Sequence, residues 1–170
     1  MLSYFGKHPE RFSDLQTILD EVRSSQESFK IVTSILTKTE VAYIAEEKTS
    51  PEEYSNVENT LDEFWANTRI VERIEVNDDV ATEARRLIRT GFLNGWRRLR
   101  ANDAIHLGSA LWVMKHVEVV AFQTYNIRDF EKFRELVPFR IEVPDANGIC
   151  GHSLRPPIEE AIKRLCNQLG

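Results

Sequence analysis

From Pro9 to Ser24 the apolar residues Phe12, Leu15, Ile18, Leu19 and Val22 return every three or four positions, the spacing of one buried helical face. Phe29–Ser34 (FKIVTS) is short and β-branched, and predicts a strand. Ile35–Glu47 follows at once as a helix. SPEEYSNVENTLDEFWAN offers Ser50 as N-cap, Pro51 at the first helical position and acids in the first turn, a good helix start. Arg69–Val76 alternates in the manner of a strand. Asn77–Gly91 opens on an acidic cap and ends on a glycine suited to a helix C-cap. A helix rich in apolar residues runs from Asn102 to about His116. Val117–Thr124 is a nearly continuous apolar run, the mark of a buried parallel strand. NIRDFEKFREL predicts a short helix, and FRIEV before Pro144 a last strand. Strands that alternate with helices imply an α/β domain around a parallel sheet.

After Pro144 the pattern changes. DANGICGHSLRPP reads as a loop, and Ile158, Ala161, Ile162, Leu165 and Leu169 give an amphipathic helix. The expected organisation is therefore an α/β domain over 1–144 and a C-terminal loop and helix over 145–170. Docking of that helix on the domain is expected, because a lone helix of this length is marginal in water.

A chain of 170 residues can bury a real core, and 42% apolar with 29% charged residues is ordinary globular composition. There is no apolar run of the roughly 18 residues that a membrane span needs, so no membrane partner is expected. MLSYFGKHPERF lacks the pattern of a signal peptide. With Cys150 and Cys166 the only two cysteines, a disulfide-built secreted domain is excluded, and a cytoplasmic location with reduced thiols is expected. The formal net charge of −5 argues against a generic nucleic-acid coat. The charge is uneven, however. Between Ala84 and Ala101 stand Arg85, Arg86, Arg89, Arg97, Arg98 and Arg100 without an acid. This stretch is either a solvated helix face and loop or a phosphate-binding patch, for which the planar arginine fork is well shaped.

Three acidic positions sit oddly. Glu40 shares a helical face with Leu36 and Ile44, and an acid on an apolar stripe is costly unless it is paired or bound to a cation. If the helix is phased differently, Glu40 simply faces water. Asp103 opens a helix and lies on one stripe with His106, Leu107, Ala110 and Met114. A carboxylate in a first helical turn already has a dull explanation in the helix dipole. In TYNIRDF, Asn126 and Asp129 follow the predicted strand that ends at Thr124. Ligands of open parallel sheets sit beyond the carboxyl ends of the strands. Oxygen ligands gathered there suit a hard cation such as Mg²⁺ or Mn²⁺. Cys150, His152 and Cys166 match no zinc-site spacing.

SILTKTEV, NDAIHLGSAL and TYNIRDF, in this order and at these separations, resemble a PIN domain, the fold of VapC-type toxin ribonucleases. The resemblance runs from about Leu2 to Pro144. It implies an α/β three-layer sandwich with a central, mostly parallel sheet flanked by helices. It also implies a Mg²⁺- or Mn²⁺-dependent endoribonuclease, the toxin of a type II toxin–antitoxin pair. By position, Glu40, Asp103 and Asp129 would be the catalytic, metal-holding acids and Asn126 a further ligand. Thr124 would flank the site, and Arg97, Arg98 and Arg100 would contact RNA. His106 would be a packing residue or would support a ligand from behind without being one, and Gly108, Ser109 and Ala110 would let their helix lie close to the sheet. A cognate antitoxin and a homodimer are the implied protein partners.

The resemblance has one departure. PIN domains open with a central strand of the type YLDxNVxL, whose Asp is the first metal ligand, and MLSYFGKHPERF resembles the segment after it. A truncated reading of a longer gene is the expected cause. As written, the chain is expected to bind metal weakly and to cut little RNA. The alternative is a PIN-like binding module that does not catalyse. A phospho-accepting receiver domain fits the alternation but lacks paired acids after a first strand.

Overall fold

The computed structural model describes residues 11–25, 29–41 and 54–145. The expectations for Ser50, Pro51, Ile44, Cys150, His152, Cys166 and the helix over 158–169 lie outside them. In chain order the elements are α1 (Phe12–Ser24), β1 (Ile31–Ser34), α2 (Leu36–Glu40), α3 (Tyr54–Ala66), β2 (Val71–Ile74), α4 (Asp78–Leu93), α5 (Ala101–Met114), β3 (Ala121–Gln123), α6 (Ile127–Phe130) with a 3-10 segment (Glu131–Leu136), and β4 (Arg140–Glu142). The fold is α/β, as the alternation predicts. The strands pair in parallel, β1 with β2 and β3 with β4, as two two-stranded sheets.

The described residues fall into two compact units. The first holds the chain up to Val76 and 144–145; the second is Asn77–Val143.

In the first unit β1 lies beside β2 with Ile31 opposite Val71 and Ser34 opposite Ile74. The ladder continues past the strand, where Ile35 N–H donates to the Ile74 carbonyl at 2.9 Å. Val41, Leu61, Trp65 and Val71 form a buried cluster, and the rings of Phe64 and Trp65 meet edge-on at 5.1 Å. The helix predicted to run unbroken to Glu47 closes at Glu40 instead, because Val41 leaves helical geometry (φ −101°, ψ 66°). Local threonine bonding favours this early end. Thr39 Oγ1 donates to the Leu36 carbonyl at 2.8 Å, and Thr33 and Thr37 share a 2.6 Å hydroxyl–hydroxyl bond. The turn drops Val41 into the buried cluster.

In the second unit Asn77 caps α4, its side chain accepting from Val80 N–H at 2.9 Å. Ala84, Leu87, Leu99, Leu107, Leu111, Phe130, Phe133 and Ile141 belong to one core. Gly91 does not cap α4, contrary to the sequence reading. The helix continues through Leu93, and Gly91 is buried in its last turns. A Cβ there would stand 3.2 Å from Phe133 Cζ, so the glycine makes room for that ring. The left-handed residue is Gly95 (φ 65°), a conformation that suits glycine.

Gly108 was expected to admit a close approach to the sheet, but it faces α4. A Cβ at that position would lie 3.0 Å from the Val80 carbonyl oxygen and 3.1 Å from Ala84 N. The Val117–Thr124 run was expected to be a fully buried strand. Only Ala121–Gln123 is strand, Val117 is exposed, and Val119 to Phe122 are half-buried. Among the described residues it pairs with β4.

Candidate functional site

The carboxyl end of β3 builds a compact polar turn. Thr124 N–H still bonds to the Glu142 carbonyl across the sheet at 2.9 Å. Its hydroxyl then accepts from Asn126 N–H at 3.1 Å, and Asp129 N–H donates to the Asn126 carbonyl at 3.1 Å. These bonds aim the Asn126 side chain back over α6. Its Nδ2 donates to Asp129 Oδ2 at 2.7 Å.

Asp129 is a buried carboxylate. Its Oδ1 stands 2.5 Å from Arg97 Nε, yet makes no directed hydrogen bond. The two observations describe one contact, an ion pair in which the N–H vector misses the oxygen. The ionic attraction survives such misalignment; the hydrogen-bond component does not. One oxygen of Asp129 is thus oriented by Asn126, and the other keeps its lone pairs in a dry place opposite a cationic side chain.

The loop after α4 brings Arg97 to this position. Trp96 N–H bonds back to the Gly91 carbonyl at 2.9 Å, and Gly95 N–H to the Phe92 carbonyl at 3.2 Å. The Trp96 ring then meets Phe133 edge-on at 5.3 Å. That aromatic pair pins the loop, and the next residue is Arg97. Sequence reasoning gave Arg97 to RNA alone and missed its pairing with Asp129. The missed signal is the aromatic immediately before it, which had to enter the core.

Asp103 lies in the first turn of α5 and Glu40 at the last position of α2, both half-buried and both engaged by neighbouring groups. Glu40 belongs to the first unit; Asp103, Asn126 and Asp129 belong to the second. His106 is half-buried one turn into α5 and is also engaged. Arg98 and Arg100 are exposed. Thr124 is half-buried, and its hydroxyl holds the turn. Sequence reading passed over Phe92 and Leu93, which are 76% and 68% exposed at the end of α4. Their register with Arg85 and Arg89 was the available signal.

As a donor, Asp129 Oδ1 fits a hard divalent cation, being anionic, buried and without a hydrogen bond. The Asn126 carboxamide oxygen beside it is a second donor of the right kind. Among the described residues no group of three or more His, Cys, Asp or Glu side chains could hold a metal ion.

The family model for the PIN domain matches residues 2–136. The chain belongs to the PIN domain family. PIN domains are generally nucleases that use divalent metal ions, and membership places the chain in that superfamily. Neither the curated proteins nor the solved structures gave a match. No helix among the described residues is long and apolar enough to cross a membrane.

Proposed function

We propose that this PIN domain is a Mg²⁺- or Mn²⁺-dependent endoribonuclease, the toxin half of a type II toxin–antitoxin pair acting in the cytoplasm. The observation that carries the nuclease reading is Asp129, a buried carboxylate held by Asn126 through one oxygen and left without a hydrogen bond at the other. Asp103 and Asp129 would hold the cation, with Asn126 as an additional oxygen donor, and Glu40 is the further acid that the family resemblance implies. A divalent cation bound there supplies an activated water and stabilises charge on the leaving oxygen. Arg97, Arg98 and Arg100 would bind the RNA backbone, and Thr124 would flank the site by fixing the turn. A homodimer and an antitoxin partner belong to the same reading and rest on the family resemblance.

One observation favours a second reading. The Arg97 guanidinium already lies on Asp129, where a cation would sit. A PIN-like module that binds without cutting would keep that pair closed.

The test compares three proteins on a mixed RNA pool with Mg²⁺ or Mn²⁺, with and without EDTA. They are the present chain, a version extended at its N-terminus by a β-strand carrying an aspartate, and that version with Asp103→Asn. Cation-dependent cutting by the extended version and its loss on Asp103→Asn are expected. Cutting that survives EDTA removes the metal from the reading. An extended version that binds RNA and never cuts selects the binding module.

A further inference from the structure

We propose that Phe92 is a stacking platform for one base of single-stranded RNA, with Arg85 and Arg89 behind it as phosphate contacts. The choice of RNA as ligand rests on the ribonuclease reading; the platform itself rests on the geometry of α4. Arg85, Arg89 and Phe92 follow at intervals of four and three residues, so they share one helical stripe. All three are exposed, whereas Val80, Ala84, Leu87 and Gly91 form the buried side of the same helix. The two arginines lie about 6 Å apart along the axis, close enough to engage neighbouring phosphates.

Phe92 and Leu93 place two large apolar side chains side by side in solvent. Scattered single apolar residues are ordinary surface; here two large ones adjoin beside a run of arginines. The charge around them selects the partner. Every ionisable side chain from Ala84 to Ala101 is an arginine. Among the described residues Arg85, Arg89, Arg98 and Arg100 form no ion pair, while Arg86 is bound by Glu83 and Arg97 by Asp129. Uncompensated arginines on one helical stripe with an aromatic ring suit a polyanion with flat apolar faces. Single-stranded nucleic acid has both features: phosphates for the guanidiniums and an unpaired base for the ring. In a duplex the bases are stacked on each other, and Phe92 would find no free face. The closed turn after α4 carries the chain within five residues from this ring to Arg97, which pairs with Asp129.

The experiment measures binding of a fluorescently labelled single-stranded RNA of about 12 nucleotides by anisotropy, in EDTA so that no cleavage intervenes. Phe92→Ala is expected to raise Kd about tenfold, the effect of losing one stacked base. Phe92→Trp should keep the affinity, and Phe92→Leu should behave like Ala because it is apolar without a π face. Arg85→Ala and Arg89→Ala should each lower the slope of log Kd against log salt by about 0.7, and Phe92→Ala should leave the slope unchanged. Phe92 is exposed, so the variants should melt at the wild-type temperature. Unchanged affinity in Phe92→Ala overturns the proposal. So does wild-type affinity in Phe92→Leu, or loss of self-association in Phe92→Ala with RNA affinity intact, which would make the patch a protein interface. Stacking without any cleavage by the extended version would keep this proposal and remove the nuclease reading.

Discussion

Arg97 and Asp129 form an ion pair of unequal burial: the arginine side chain is 52% exposed and the carboxylate 9%. The arginine can swing into water with little loss, since most of its hydration is already in place. Asp129 has no such freedom. The pair therefore behaves as a dry anion under a removable cation.

Replacing Arg97 with Gln should leave Asp129 buried without a counter-charge. Solvent already screens this pair on the arginine side, so the expected loss of stability is about 1 kcal/mol rather than the 3–5 of a fully buried pair. Mn²⁺ should then raise the melting temperature more in Arg97→Gln than in wild type, because its competitor is gone and ligand binding to the native state stabilises it. Thermal melts across a Mn²⁺ titration measure both effects. Equal Mn²⁺ shifts in the two proteins would mean that Arg97 does not compete for the carboxylate.

Arg98 and Arg100 lie beyond that pair and are exposed. If they meet phosphates, Arg98→Ala and Arg100→Ala should weaken RNA binding for all sequences alike, and each should flatten the salt dependence. An unaltered salt slope returns them to ordinary surface.

Gly108 should not tolerate a side chain. Alanine gains about 1 kcal/mol of helix propensity, but its Cβ would press on the Val80 carbonyl and Ala84 N, both main-chain atoms of α4. Overpacking of this kind costs about 1–3 kcal/mol. Urea unfolding of Gly108→Ala is expected to show a net loss of about 1 kcal/mol, and Gly108→Val a larger one. A more stable Gly108→Ala would show that the helices part freely.

Ser109 offers the opposite case. Its hydroxyl is buried without a hydrogen-bond partner, and an unsatisfied polar group of this kind costs about 1–3 kcal/mol. Ser109→Ala removes it at nearly constant volume and should raise stability by about 1 kcal/mol in the same urea series. A loss would indicate that the hydroxyl has a partner in solution.

The sequence carried the elements further than it carried their ends. Asn77 announced α4 because an N-cap is a local device, complete within four residues. The other end misled because Gly91 serves a ring far along the chain, Phe133, and a periodicity reading cannot see that partner. Val117–Val120 read as strand because apolar composition states an appetite for burial, while the ladder itself covers only Ala121–Gln123. In the candidate site, Asn126 and Asp129 were legible because both follow one strand end in TYNIRDF. Their contact with Arg97 was not, since it depends on a loop anchored by Trp96. Glu40 and Asp103 could be singled out by their placement on apolar stripes, which says only that each needs a partner.

The missing side chain of Gly108 also sets a register. Where α4 and α5 cross, a residue without a Cβ fits beneath the Val80 carbonyl with no displacement of α4. A slide of α5 by one turn would bring Ala104 or Leu111 to that point, and each would have to push the main chain of α4 aside. The crossing is a notch with one seat. Asp103, five residues earlier on α5, is thereby held at a constant offset from Arg85, Arg89 and Phe92 on α4. The helix pair is thus a ruler whose zero is a glycine.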